Sequence, residues 1–387
     1  MCEKMLNYDI RFKKAVDYIV ENNYNAYLAK LVKNKMDVGL FIPVENITPY
    51  SDIIKELLNC GINLTYVILL NNRGNINIGC CKVINIIDFD NVRRKPNVIF
   101  MLRLNNSNFI VDEYFRNKDI RTITLSNTTD SMESYKIFLE HIMDLYEIYN
   151  MLDDELSKKS FLCDIIGAYT KSYNEIIFAS EPQYMLKGYM PEKGDIAIDG
   201  GAYDGETGFD FFRLGAVVHS FELDENNYRK TKATADHYGF TSINKGLGSE
   251  EGTINYTALD RGSFAGKSGE SIGYIIDIDT YVKQNDLLKV DYIKMDIEGS
   301  ELEALKGAYN MIAMFKPKMA ISAYHKECDI WTLAQYIKSL RSDYVFAWRH
   351  YPISVGEWLG DEYISLANKL GISGKMASDW EKVLYCR

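Results

Sequence analysis

The run DIAIDGGAYDGETGFDFF, residues 195–212, restricts this chain more than any other stretch. IAID is a short β-rich run and GETGFDFF can begin a helix, so Asp199 to Gly205 forms a strand–loop–helix turn. Glycines at that point let the backbone approach a ligand closely, and a helix N-terminus can receive a carboxylate or phosphate. The spacing G-G-x-x-x-G is not the G-x-G-x-x-G of dinucleotide sites. AVVHSFELD then gives a second strand ending in Glu222, twenty-three residues beyond Asp199. A carboxylate there can accept both hydroxyls of a ribose. An acid at the loop's start repels a pyrophosphate but suits an ammonium or a sulfonium. Asp199 and Glu222 together therefore favour S-adenosylmethionine over NAD.

A second stretch, DYIKMDIEGSELEALKGA at 291–308, puts four carboxylates within eight residues. Ile293 and Met295 lie on one face of a strand. Ser300 and Glu303 have capping-box spacing, Leu302, Leu305 and Ala308 make a buried stripe, and Glu301 falls in the first turn, where the helix dipole favours an acid. Those readings leave Asp296 and Glu298 unexplained. A carboxylate at the C-terminal end of a strand in a parallel sheet points into the crevice where ligands bind. The next strand, KMAISAY, ends at Tyr324-His325, so Asp296 and His325 can face one cleft.

The rest of the chain follows the same alternation. Residues 1–35 have amphipathic helical spacing at Ala15, Val16, Ile19 and Val20. VGLFIPV, LTYVILL, KVINII, NVIFML and IRTITL are strand-length runs, some separated by helical segments such as YSDIIKELLNCGI. They predict a small parallel α/β domain over 1–130, with no glycine-rich phosphate loop and a role in acceptor recognition or oligomerisation. Residues 131–190 read as a helical connector. The turn cluster MPEKGD opens an α/β domain over 191–387 that ends in KVLYC, read as an edge strand.

The second half also carries a family resemblance. IDGGAYDGET, SFELDENNY, INKGLGSEEG, IIDIDTYV and YIKMDIEGSELEALKGA, with AISAYHKECDIW beyond them, resemble the FkbM family of S-adenosylmethionine-dependent methyltransferases over roughly residues 180–350. The resemblance implies the class I methyltransferase fold: Rossmann-like α/β, with a doubly wound, mostly parallel sheet. It implies O-methylation of a sugar, glycan or natural-product hydroxyl. Carried over, Asp199, Gly200, Gly201, Ala202, Tyr203 and Gly205 line the methionine end of the cofactor, Glu222 holds the ribose and Asn244 lies near the adenine. Asp296 falls at the acceptor side.

An aliphatic hydroxyl needs a base or a metal to become nucleophilic. The candidate bases are His325 and Asp296, with Glu298 as companion. In a metal variant Asp296, Glu298 and His325 bind Mg²⁺ or Mn²⁺, which take oxygen-rich sites. The competing readings are an NAD-using Rossmann-type protein and a non-catalytic scaffold of surface-glycan biosynthesis.

Composition removes other classes. A formal charge of −10 argues against a dedicated nucleic-acid binder. The longest apolar runs, such as YVILL at 66–70, are far short of a bilayer span. The N-terminus has no signal-peptide core, so a cytoplasmic location is expected, and the N-x-S/T triplets at Asn46 and Asn63 carry no meaning there. Seven cysteines without a C-x-x-C pair point to reduced thiols, with Cys80 and Cys81 as packing residues. The N-terminal domain is the candidate surface for a homo-oligomer. Richness in Tyr, Asn, Ile and Lys hints at an AT-rich bacterial genome.

Overall fold

The computed structural model describes residues 8–44, 50–71, 81–102, 107–125, 128–258, 263–265, 269–354, 361–376, 378 and 380–387. Asn46 and Cys80 lie outside them. Cys81 is buried, and its thiol donates to the Leu64 carbonyl at 3.2 Å. The chain divides into two units. One comprises residues 1–146, 159–178 and 352–379, the other 147–158, 179–351 and 380–387.

In the first unit, each of the five apolar runs forms a strand: β1 (Asp37–Ile42), β2 (Asn63–Leu69), β3 (Lys82–Asn85), β4 (Val98–Met101) and β5 (Arg121–Thr124). They pair in the order β3-β2-β1-β4-β5, all parallel. Successive side chains of a strand alternate between faces, and two cores result. Phe41, Ile68, Ile99 and Met101 pack on one face, and Leu40, Ile42, Val67, Leu69, Val98 and Phe100 on the other. Ile353, Ala367, Ile372 and Met376 join the first of these clusters. Residues 352–379, expected within 191–387, therefore belong here: their apolar side chains complete this core. The expected connector is helical over Thr128–Met151 and Glu155–Thr170, and then continues as turns and irregular chain.

The second unit is built on β6 (Ile196–Gly200), β7 (Val217–Phe221), β8 (Thr241–Ile243), β9 (Tyr292–Met295), β10 (Lys318–Ser322), β11 (Phe346–His350) and β12 (Lys382–Cys386). The sheet order is β11-β12-β10-β9-β6-β7-β8. The run from β10 to β8 is parallel, while β12 is antiparallel to both its neighbours. KVLYC is thus an inner strand rather than an edge, and all five of its residues are buried. A smaller four-stranded sheet is formed by Gly246–Leu247, Gly252–Thr257, Phe264–Ala265 and Ser271–Ile276. The chain moves from β6 outward to β7 on one side and returns to β9 on the other. β6 and β9 therefore border a topological switch point, where open α/β sheets bind ligands beyond the carboxyl ends of their strands. Among the described residues, no helix is long and apolar enough to cross a membrane.

Candidate functional site

Strand register builds the cofactor side. Lys294 of β9 lies opposite Asp199 of β6, and Asp199 opposite Ser220 of β7. Asp199 is wholly buried, with Oδ1 3.2 Å from Lys294 Nζ and Oδ2 accepting the Ser220 hydroxyl at 2.9 Å. Lys294 also donates to the carbonyls of Gly200 at 3.0 Å and Gly201 at 2.7 Å. Asp199 is thus already neutralised inside the protein and, through Lys294, holds the glycine turn in place. Gly201 has φ +75°, and a Cβ there would lie 1.8 Å from the Asp296 carbonyl oxygen. Only glycine allows that approach between the β6 turn and the end of β9.

The same turn reaches Glu222 at the end of β7. The N–H groups of Tyr203 and Asp224 donate to its two carboxylate oxygens, each at 2.9 Å. Burial raises the Glu222 carboxyl above its ordinary range, against the pull of these two donors. Gly201 and Ala202 N–H both donate to the Phe221 carbonyl at 3.0 Å, and Gly205, at φ +86°, precedes the helix Glu206–Arg213. Asn244 donates through Nδ2 to the Glu222 carbonyl at 3.0 Å. The residues nominated for the cofactor lie together on the loop after β6 and the ends of β7 and β8.

Asp296, just beyond β9, accepts the Tyr184 hydroxyl at 2.9 Å and the Tyr324 hydroxyl at 3.1 Å. Burial opposes its ionisation, but Lys294, His325 and hydroxyl donors from Ser322 and Tyr184 hold the carboxyl below the usual range. His325 Nε2 lies 3.5 Å from Asp296 and 3.4 Å from Glu298, and Nδ1 lies 2.9 Å from Glu301. Burial disfavours the imidazolium, yet the bond to Glu301 and the charges of Glu301, Asp296 and Glu298 push its pKa up to about 9. Burial and the neighbouring Asp296 and Glu301 raise the Glu298 carboxyl despite His325. Asp296, Glu298 and His325 are brought together.

The capping box expected from S-x-x-E does not form. Ser300 makes no side-chain cap bond, and Glu303 turns outward to Lys306 at 2.6 Å. Glu301, read as first-turn charge compensation, is instead fully buried, and its Oε1 accepts the Ile297 N–H at 2.9 Å.

Residues 199–346 match the model of the methyltransferase FkbM domain. Over that segment the second unit is similar to the FkbM methyltransferase domain. Among solved structures, the chain is similar to the methyltransferase FkbM from Methylobacillus flagellatus KT, at 18% identity over 97% of this chain and 98% of that one, with a TM-score of 0.60. That likeness is one of fold. A precorrin-8W decarboxylase from Methanobacterium thermoautotrophicum matches 51% of this chain and 82% of its own, at 13% identity and a TM-score of 0.29. A precorrin-6Y C5,15-methyltransferase from Geobacter metallireducens GS-15 matches 54% and 91%, at 8% identity and a TM-score of 0.31. No curated protein matches the sequence.

The candidate site is extended by residues outside the matched segment that no sequence motif marks. Gln183 Nε2 donates both to Glu381 and, at 3.1 Å, to Tyr184 Oη. A partly buried chain thus runs Glu381–Gln183–Tyr184–Asp296. Burial and the Asp296 charge push the Glu381 carboxyl up to about 8. Among the described residues, a further ligand-type group beside the candidate site is Glu301, His325 and Asp329, whose ligand atoms lie within 4.8 Å of one another. Two of them are already engaged: Glu301 Oε1 accepts the Ile297 N–H at 2.9 Å and lies 2.9 Å from His325 Nδ1 as an ion pair, and Asp329 accepts the Lys326 N–H at 2.7 Å. A divalent ion on either His325-containing set would have to displace the imidazolium proton, so the donors fit an ion-pair cluster better than a preformed metal cage.

Proposed function

We propose that this protein is an S-adenosylmethionine-dependent O-methyltransferase acting on a hydroxyl of a sugar, glycan or natural-product acceptor. The observation that carries the reading is the meeting, at one switch point, of two dissimilar half-sites. One is a glycine turn tied to the Glu222 carboxylate, the other a set of proton-handling groups around Asp296. Glu222 accepts one backbone N–H on each oxygen and keeps acceptor capacity for ribose hydroxyls. Gly200, Gly201 and Ala202 form the wall for the methionine end, and Asn244 fixes the backbone beside the adenine.

The bound sulfonium supplies an electrophilic methyl group. The protein has to hold the acceptor oxygen in line with it, which can contribute roughly 7–11 kcal/mol of the barrier. Asp296, ionised and fixed by the Tyr184 and Tyr324 hydroxyls, accepts a hydrogen bond from the acceptor hydroxyl and orients it. With the cofactor bound, transfer would break its S–CH3 bond and leave the neutral thioether; His325, in its neutral form, would take the acceptor hydroxyl's proton on Nε2, because it is far more basic than the depressed Asp296 carboxylate.

Calorimetric titration with S-adenosylmethionine, S-adenosylhomocysteine and NAD tests this directly. Binding of the two sulfur nucleosides, weakened by Glu222→Ala, is expected. Binding of NAD alone would favour the oxidoreductase reading, and no binding at all would sink the proposal.

A further inference from the structure

We propose that Glu301 is a positioning residue for His325, fixing the imidazole with Nδ1 turned inward and Nε2 turned to the acceptor. The placement of the acceptor rests on the methyltransferase reading above, whereas the geometry of the dyad stands on its own.

Glu301 opens a six-residue helix, where an acid needs no explanation beyond the dipole. Its surroundings do not fit that role. A carboxylate that only compensates a helix terminus sits in water, as Glu303 does with half its side chain exposed. Glu301 is fully buried, which is costly for a charge unless it is paired and hydrogen-bonded. Both conditions are met through one oxygen. Oε1 accepts N–H groups from Ile297 at 2.9 Å and Gly299 at 3.4 Å, and lies 2.9 Å from His325 Nδ1. The intervening turn is wound left-handed at Glu298, φ +55°, and Gly299, φ +92°. A non-glycine residue is strained in that region, and here the distortion brings two N–H groups onto one carboxylate oxygen. Oε2 has no hydrogen-bond donor.

The carboxylate is therefore clamped before it meets the ring, and one ring nitrogen faces it in an ion-pair contact at 2.9 Å, without an aligned hydrogen bond. The other, Nε2, is left between Asp296 and Glu298 at 3.5 and 3.4 Å. A base held by a buried third group, with its free nitrogen at the reacting atom, is the general arrangement for activating a hydroxyl. When the acceptor O–H gives its proton to Nε2, the resulting imidazolium is stabilised by Glu301, which itself stays ionised. The charged and titratable groups around the ring are Asp296, Glu298 and Glu301 on the β9 side, Asp329 and Lys326 after β10, Glu381 before β12, and the Tyr324 ring at 4.2 Å. Glu301 alone among them contacts Nδ1.

The test is a histidine titration by nitrogen NMR, with the His325 signal assigned by its loss in His325→Gln. In the wild-type protein the ring should titrate near 9, with the neutral form carrying its proton on Nδ1. In Glu301→Gln the titration should fall by at least about one pH unit. The rising limb of kcat/KM against pH should move down with it, and Glu301→Asp should restore part of the shift. Glu303→Gln should change neither. Binding of S-adenosylhomocysteine should survive Glu301→Gln, which separates loss of the dyad from loss of the cofactor site. If Glu301→Gln does not fold, Glu301→Asp alone must still move the titration. An unchanged His325 titration and tautomer in the folded variants would overturn the proposal, whether or not the protein binds a sulfur nucleoside.

Discussion

Replacing Gly201 by alanine would put a methyl group 1.8 Å from the Asp296 carbonyl oxygen and 2.8 Å from its carbonyl carbon. Two costs add, and neighbouring glycines separate them. Gly201 sits at φ +75°, where an L side chain costs about 1–2 kcal/mol. Gly194, at φ +88° with no atom within 4 Å of its would-be Cβ, carries that cost alone. At Gly200 the new Cβ meets Leu247 Cδ1 at 2.7 Å, the movable end of a side chain, so alanine there is a soft clash without the positive φ. At Gly201 the obstacle is backbone at the end of β9 and cannot swing aside. Overpacking adds typically about 1–3 kcal/mol, so Gly201→Ala should cost about 2–5 kcal/mol against about 1–2 for Gly194→Ala. The clash can be relieved only by moving the turn away from Asp296, which opens the wall proposed for the methionine end. Calorimetry should then show S-adenosylhomocysteine binding weakened by roughly a hundredfold, equivalent to about 2.8 kcal/mol. Gly194→Ala should bind as wild type. Binding by Gly201→Ala within twofold of Gly194→Ala would refute the claim that this contact shapes the cofactor site.

Lys294→Met leaves Asp199 buried without its cation and should destabilise the second unit by about 3–5 kcal/mol in urea unfolding. Adding Asp199→Asn should recover part of that loss, and full additivity of the two changes would argue against the pair. Glu303→Ala breaks only a partly exposed pair with Lys306 and should cost no more than about 0.5 kcal/mol, whereas a loss of about 1 kcal/mol would reinstate the capping box. With His325 as the base, kcat/KM should rise with pH and level near 9, because the imidazolium below that pH cannot accept a proton. A profile flat from pH 6 to 9 would transfer the role to Asp296, whose carboxyl is ionised throughout. The stability contributed by the Glu301–His325 pair has the matching sign. The folded ring's pKa is raised, so that contribution is complete below about 6.5 and is lost as pH rises through about 9.

What was legible in the sequence, and what was not, divides along physical lines. The parallel strands announce themselves because each is a short apolar run closed by a turn, and residues 63–69 or 196–200 need no tertiary knowledge. KVLYC reads equally well as an edge or an inner strand, because its burial depends on β11 returning to cover it. Residues 352–379 change units because Ile353, Ile372 and Met376 complete the core around Phe109 and Tyr114, a contact no local pattern encodes. Glu381 has no motif around it and enters the site only through the β12 crossing and Gln183.

The carboxylates after β9 show a subtler limit. Glu301 and Glu303 are two residues apart, so at about 100° per residue they point to opposite sides of the helix. Reading the stripe as Leu302, Leu305 and Ala308 leaves both acids at the margin. Leu305 and Ala308 of that stripe are buried, but Leu302 is only partly covered, Glu301 and Ala304 are buried beside them, and Glu303 is exposed. Glu301, Ala304 and Leu305 form an i, i+3, i+4 face, and an acid occupies its first position. An acid on an apolar face is stable only with a partner that compensates it. Among the chain's five histidines, the one at the end of the neighbouring strand is that partner. Taken with Ala304 and Leu305 as the i+3 and i+4 positions, Glu301 is the acid that needs such a partner. The signal is the misfit of a charge to its helical face, which the helix-dipole reading of Glu301 leaves out.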